Sequence, residues 1–368
     1  MSATKLDNYS VNNLRIPVDY LPSQDGISQS LLGDWQTCRR RFLFSINRWS
    51  HPAKERKTGY GSMNHELLDI IYSGFFFGDY KYRDLTAVIR FFLDRYQLPR
   101  VFSPQEQEQL KALSQAIMEC YIEYYRADFT EFRLKAVEHI FEVKKYGWIL
   151  RGKIDGCLAD KTGAGWNLEH KNYSRINEES LQKRLSFDLQ NLFYLNAHFI
   201  ETGIQLKGVK YNILRKPEVK KFDRPIEMYS YVRGLISNNP DYYFIRYEIP
   251  YTKIDLKRFQ DELAFKLNDL YECIKRAVID KQNTLNIFYK NECACDQPYQ
   301  CDFIDACASG KLNVYCRQKH LFMELGASDE RPGIAHIKES IGTGTTTKSI
   351  VDASIKKARK LPAIPKKK

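Results

Sequence analysis

The spacing of hydrophobic positions changes period along this chain, and each change predicts a different element. From Ser28 to Phe129 apolar residues recur every three to four positions, the mark of helices with one buried face. Leu31, Trp35, Cys38 and Phe42 share a stripe in one predicted helix, with Ser28 or Ser30 placed to cap it. The glycines of TGYGSMNHELLDIIYSGFFFG read as a loop, followed by a helix from Met63 to Phe76 with His65 in its first turn. Two more helices are expected over Asp84 to Leu98 and Ser103 to Phe129, the second opened by a capping serine and a first-turn proline. The period then falls to two in LKAVEHIFEVKKYGWILRGKIDGCLAD, which predicts strands joined at Tyr146-Gly147. A second turn, Lys161 to Gly165, leads into a run ending Glu169-His170-Lys171. Downstream, Asn177 or Ser180 starts a helix packed through Leu181, Leu185, Leu189 and Leu192. Residues 208–214 read as a strand closing the sheet, 217–240 as a loop covering the site, and YYFIRYEIP as another strand. Thr252 precedes a long helix packed through Ile254, Leu256, Phe259, Leu263, Leu267 and Ile274. No internal repeat is found, and the polar, irregular residues 1–27 read as a surface arm.

At 368 residues, 43% hydrophobic and 13% aromatic, the chain can bury a sizeable core, as one large domain or one with satellites. The net charge of +12 is uneven: residues 356–368 hold seven Lys/Arg and no acid, so the part before them is only mildly basic. That lysine-rich end, with the low-complexity Gly342 to Thr347, is expected to be flexible. It either binds nucleic acid or an acidic partner, or is a solubilising tail. No apolar run approaches the roughly 18 residues of a membrane helix, and the polar start lacks an apolar signal core. The expectation is an intracellular, cytoplasmic protein without a membrane partner.

The candidate chemistry lies between Arg151 and Tyr194. With the hairpin closed at the second turn, Asp155 and Glu169 come from neighbouring strands. Glu169 and Lys171, two apart, leave the same face. Gln190 and Tyr194, at i and i+4, share a helix face. Two carboxylates, a lysine and a polar helix face suit a hard divalent cation and an activated water. The bland alternative is an exposed hairpin with solvated charges. Arg39, Arg40 and Arg41 likewise either meet phosphate or form a solvated run.

The order of GKID, LEHK and QNLFY resembles the PD-(D/E)XK nuclease superfamily, in particular its RecB-like branch with GxxD, (D/E)xK and QxxxY motifs. The resemblance covers residues 28–310 and implies an α/β fold: a mixed central sheet flanked by helices, with a helical insertion. It implies that Asp155, Glu169 and His65 hold Mg²⁺ or Mn²⁺. His65 matches a metal-binding histidine upstream of GxxD, and Lys171, Gln190 and Tyr194 complete the catalytic set. Glu138 matches an auxiliary acid or is a solvent-facing strand residue.

Nine cysteines, an odd number, argue against a disulfide framework, and four fall in ECACDQPYQCDFIDACASG. Thiolates this dense hold Zn²⁺ or an iron–sulfur cluster. The iron–sulfur members of the RecB-like branch place one cysteine near the N-terminus and three after the nuclease motifs. Carried over, that pattern implies an iron–sulfur staple, a [4Fe-4S] cluster, on Cys38, Cys295, Cys301 and Cys307, with Cys293 competing for the third place and zinc as the alternative metal. Cys120, Cys157, Cys273 and Cys316 read as ordinary thiols. The organisation expected is an arm over 1–27, a nuclease domain over 28–320 and a basic tail over 321–368. The function expected is a metal-dependent DNA exonuclease acting on single-stranded DNA or duplex ends in recombination, repair or phage DNA metabolism, in a prokaryotic or phage-infected cell, with recombination or replication proteins as partners. The alternatives are a DNA-binding or assembly module with a vestigial site, and a zinc-stapled, structure-specific endonuclease.

Overall fold

The computed structural model describes residues 10–17, 20–77, 82–219, 222–296, 300–318 and 320–322. The basic tail beyond Phe322 therefore lies outside the described residues. In chain order the elements are β1 (Ile27–Ser28), α1 (Gln29–Thr37), α2 (Arg39–Ile46), β2 (Trp49–Ser50), α3 (Ala53–Phe77), α4 (Tyr82–Arg95), α5 (Pro104–Tyr124) and α6 (Asp128–Glu131). The central strands follow: β3 (Arg133–Lys145), β4 (Trp148–Ala159) and β5 (Gly165–Tyr173). Then come α7 (Glu178–Leu185), α8 (Leu189–Thr202), β6 (Gly208–Arg215), α9 (Pro225–Asn238), α10 (Pro240–Tyr243), β7 (Phe244–Pro250), α11 (Lys253–Val278), α12 (Thr284–Ile287), α13 (Ile304–Ser309) and β8 (Cys316–Arg317).

Alternation over much of β3 and β4 produces a long antiparallel hairpin, Arg133 against Ala159 at one end and Lys145 against Trp148 at the other, with a register shift between Leu134 and Ala136. The other edge of β4 is shared. β1 pairs parallel at Leu150 and Arg151, and β5 pairs antiparallel from Gly156 to Ala159. Residues 152–155 have a neighbour in neither, so the sheet is parted there. β6 lies parallel to β5 over eight residue pairs, and β7 closes the far edge antiparallel to β6. β6 is thus interior, not the closing strand, and its eight residues are all buried.

Helices cover both faces. One layer gathers Leu31, Phe42, Phe193, Leu263 and Leu267 from α1, α2, α8 and α11 over Leu150, Ile154 and Tyr211 of the sheet. The other gathers Leu68, Ile89, Ile117 and Val232 from α3, α4, α5 and α9 over Leu158, Leu168 and Leu214. Each such buried side chain contributes about 1.5–3 kcal/mol relative to exposure.

Several element readings are corrected. The helix expected from Ser28 through Phe42 breaks at Cys38, whose extended backbone (φ −162°, ψ 119°) separates α1 from α2. The glycines read as a loop lie inside α3: a side chain on Gly59 would press on Pro99 and Phe102, so smallness there serves packing. The loop expected over 217–240 contains α9, packed on α5 through Met228, Val232 and Ile236 rather than lying over the site. Pro225 opens that helix at its first turn, where the missing N–H costs nothing. Ile254 is exposed and outside the α11 stripe. The described parts of the expected arm, 10–17 and 20–27, are largely packed in, with Val11, Leu14, Ile16 and Tyr20 buried and Ile27 in the sheet.

Candidate functional site

Asp155 stands where β5 departs from β4. The ladder that would continue between these strands is replaced by the Asp155 side chain, whose Oδ2 accepts the His170 backbone N–H at 2.9 Å. His65, projecting from α3, brings Nδ1 to 3.5 Å from the same oxygen. On β5, Glu169 is 1% exposed and its Oε1 accepts from Lys171 Nζ at 2.7 Å and from Gln190 Nε2 at 2.8 Å. Lys171 Nζ also donates to Gln190 Oε1 at 2.7 Å, so the three side chains form a closed ring. Gln190 is placed by Asp188, which caps α8 by accepting the Gln190 N–H at 2.9 Å.

Tyr194 is buried, and its hydroxyl lies 3.4 Å from Gln190 Nε2. Its ring packs edge-on against Phe141. Both rings press on Gly152, where an added Cβ would come within 2.4 Å of Phe141 and 2.9 Å of Tyr194. That contact explains the first residue of GKID: only glycine lets α8 settle close enough for Gln190 to reach Glu169. Tyr194 thus bears on the site through packing as well as through its hydroxyl beside Gln190.

Burial raises the Glu169 carboxyl to about 7, against the pull of Lys171, and Asp155 adds to the rise. Asp155 is also raised by burial, against the His170 N–H and Lys171. Burial by itself would lower the Lys171 amine, but Glu169 and Asp188 more than offset it and keep the amine protonated. Burial lowers His65 to about 4, with Glu169 opposing, so its imidazole is neutral near pH 7. One buried oxygen of this group, Glu169 Oε2, has no hydrogen-bond partner.

Sequence reasoning missed the parts that support the set. His170 is buried between rings of His65 (6.2 Å) and Tyr72 (5.5 Å), and its Nδ1 lies 3.4 Å from Asn212 Nδ2. Behind it Arg246 grips Asp128 through two bonds of 2.6 and 2.7 Å. Asp188, just before the helix, carried a readable capping signal; the Arg246–Asp128 pair, 118 residues apart, carried none. Glu138 does line the cavity with His65 and Asp155, at a positive-φ position (46°), and holds Lys153 at 2.6 Å.

The second cluster forms at the α1/α2 break. Cys38, Cys295, Cys301 and Cys307 line one cavity with Arg41, Phe44 and Phe303. Cys38 Sγ accepts the Asn291 N–H at 3.4 Å, and Cys301 N–H bonds the Cys295 carbonyl at 2.8 Å. Cys293 is exposed and does not line the cavity. Burial raises the Cys307 thiol to about 11, with Arg40 opposing and the neighbouring thiols adding. Arg40 is fixed beneath by the Phe288 and Leu285 carbonyls at 2.7 and 2.8 Å. Arg39 pairs with Asp269 and stacks on Trp35, and Arg41 pairs with Asp34, so the arginine run is structural rather than solvated. Of the remaining cysteines, Cys120, Cys157 and Cys273 are buried and Cys316 is exposed.

A family model of the PD-(D/E)XK nuclease superfamily matches residues 26–308. The chain belongs to the PD-(D/E)XK nuclease superfamily. Its mixed sheet flanked by helices fits that core, and the superfamily's members are nucleases that generally use Mg²⁺ or Mn²⁺ on DNA. No curated protein matches the chain. Among the described residues, no helix is long and apolar enough to cross a membrane.

Two carboxylates and a neutral imidazole fit the superfamily's hard divalent cation, and the unpartnered Glu169 Oε2 is an oxygen in need of one. Among the described residues no three His, Cys, Asp or Glu side chains are drawn together as a ready-made metal shell. The hydrogen bonds explain this at the nuclease site: Asp155 Oδ2 and Glu169 Oε1 are engaged by His170, Lys171 and Gln190.

Proposed function

We propose that this PD-(D/E)XK protein is a DNA exonuclease of the RecB-like, iron–sulfur branch, with Asp155, Glu169 and His65 as metal ligands and Lys171 and Gln190 as the remaining polar machinery. The observation that carries the reading is the closed Glu169–Lys171–Gln190 ring beside Asp155 at the parting of β4 and β5. A binding module has no need of a buried carboxylate left half unpaired.

Bound at these carboxylates, a divalent cation supplies Lewis-acid polarisation of the scissile phosphate and lowers the pKa of the attacking water. The protein's own groups do the rest. Lys171, held protonated, sets a fixed positive charge where negative charge grows on the phosphoryl oxygens during attack. Gln190 keeps the amine and the Glu169 carboxylate in register, and Tyr194 against Gly152 keeps Gln190 at its depth. His65 stays neutral, as a ligand must, because burial disfavours its charge.

The gathering of Cys38, Cys295, Cys301 and Cys307 on one cavity supports the four-thiol cluster, and the exposed Cys293 favours Cys295 as the third downstream ligand. Four sulfur donors near one guanidinium, Arg40, suit a soft, anionic metal–sulfur group.

The test is degradation of end-labelled linear DNA with Mn²⁺ beside covalently closed circles, using anaerobically purified protein. Linear DNA is expected to be consumed and the circle spared. Equal cleavage of the circle points to an endonuclease, and absence of metal-dependent hydrolysis to a binding or assembly module. Stoichiometric zinc in place of iron moves the thiol site to the zinc reading.

A further inference from the structure

Phe187 is the most exposed large hydrophobic side chain among the described residues, 82% open to solvent, and lies three residues before Gln190. A lone exposed apolar side chain ordinarily needs no explanation. This one sits on a fastened corner. The Leu185 carbonyl, two residues earlier, accepts from Tyr211 Oη at 3.2 Å, from Tyr251 Oη at 3.0 Å and from the Asp188 N–H at 3.2 Å. The Phe187 N–H donates to the Arg184 carbonyl at 3.0 Å. Two buried tyrosines from β6 and the end of β7 thus anchor the turn that breaks α7 from α8. Folding has fixed the backbone under an aromatic ring and left the ring in water.

The same turn supplies the site. Asp188 caps α8 and sets Gln190, and its charge reaches both Glu169 and Lys171. On the other side of Phe187, the end of α7 carries the exposed Arg184 and Lys183, the latter paired with Glu179 at 2.6 Å, so Arg184 is the cation nearest in sequence to the ring. A strand running from Lys171 past this fastened turn would meet an exposed ring with a cation beside it. That combination holds single-stranded nucleic acid: cations follow the backbone while an aromatic face takes a base, of any sequence, since every base has a π-face.

We propose that Phe187 is a stacking platform for an unpaired nucleobase of the DNA strand held at Asp155, Glu169 and Lys171, which makes single-stranded or frayed DNA the preferred substrate. The proposal rests on the nuclease reading and adds to it the form of the substrate. Bases in an intact duplex are already stacked on their neighbours and offer the ring nothing.

The experiment compares the wild type with Phe187→Ala and Phe187→Trp on single-stranded oligonucleotides and on blunt duplexes. Hydrolysis is followed with Mn²⁺. Binding is followed with Ca²⁺ in its place, through the fluorescence of 2-aminopurine placed near the labelled end. In Phe187→Ala the single-strand KM rises about 10-fold with little change in kcat, and the 2-aminopurine signal change is lost. Phe187→Trp restores both, the duplex KM does not move, and the thermal midpoint stays at the wild-type value. Unchanged KM and fluorescence in Phe187→Ala, with wild-type hydrolysis intact, would overturn the platform and leave the nuclease reading standing. An equal rise on duplex also overturns it, because that marks a backbone contact. A wild type that does not hydrolyse DNA yet shows Phe187-dependent stacking would keep the platform and sink the nuclease reading. Absence of both would end both.

Discussion

The polar ring of β5 and α8 and the thiol cavity each form at a break in regular structure, but they are assembled by opposite routes. Asp155, Glu169 and Lys171 lie on consecutive strands, and Gln190 follows one helix later. Cys38 and Cys295 are more than 250 residues apart and meet through long-range contacts: β2 pairs with β8, Phe44 stacks on Phe303, Lys57 reaches Asp302 and Arg40 holds the Phe288 carbonyl. A short loop is closed at small entropic cost, whereas a long one must be repaid by what it brings together. The difference teaches that the two sites should fail differently: the first in chemistry with the fold retained, the second in fold with the chemistry following.

The largest expected effect tests the first half of that contrast. Asp155→Asn and Lys171→Met should each lower Mn²⁺-dependent turnover about 10³-fold or more, since charge placed at the reacting phosphate is lost. Their circular dichroism should remain that of the wild type. Near-normal rates in both would remove these residues from the site. The second half is tested by Cys38→Ser, which should lose iron and several degrees of thermal midpoint, while Cys120→Ser keeps its iron. Full iron retention in Cys38→Ser would break the four-thiol set.

A smaller effect separates the two regions by pH. The Glu169 carboxyl titrates near 7 in the folded protein against 4.5 unfolded, so between these values the native state binds more protons. Its contribution to stability is therefore full below pH 4.5 and is lost as pH rises through 7. In chelator, the thermal midpoint should fall across that window, and Glu169→Gln should flatten the fall. The Cys307 thiol, near 11, is silent there. An identical slope in wild type and Glu169→Gln would assign it elsewhere. The smallest effect belongs to neither site. Deleting 348–368, which carries much of the net +12, should weaken DNA binding mainly at low salt and make its salt dependence shallower. An unchanged slope would detach the tail from DNA.

How much could be read beforehand follows the same division. The two-residue period located β3 and β4, because one face is committed to a core and a slip would invert it, whereas β5, buried on both faces along its middle, was placed by the turn before it. Spacing of Glu169 and Lys171 and of Gln190 and Tyr194 was enough to propose a polar site, and the structure brings all four together. The packing of Tyr194 on Gly152 was not legible, since it depends on how closely α8 approaches the sheet. Glycines and prolines misled where their reason was tertiary: Gly59 serves contact with Pro99, and Pro225 begins a helix rather than marking a loop. The downstream thiols were legible as a metal site from their density, but Cys38 joined them only through resemblance, because nothing local to it points to residues near 300.

The pairing of β2 with β8, together with the Val11 N–H bonded to the Gly310 carbonyl at 2.9 Å, also imposes a schedule on synthesis. The β3–β4–β5 hairpins are contiguous and can pair while the ribosome is still extending the chain. The segment around Cys38 can meet β4 and α8 earlier, but its partners between Phe288 and Cys307 come only near the end of synthesis. For most of translation Trp35, Phe42 and Phe44 therefore lack the aromatic partners Phe288 and Phe303 that cover them in the finished molecule. The nascent chain carries an apolar stretch around Cys38 whose cover is completed by late-made segments, so products truncated before Phe288 should be the ones that aggregate and recruit chaperones.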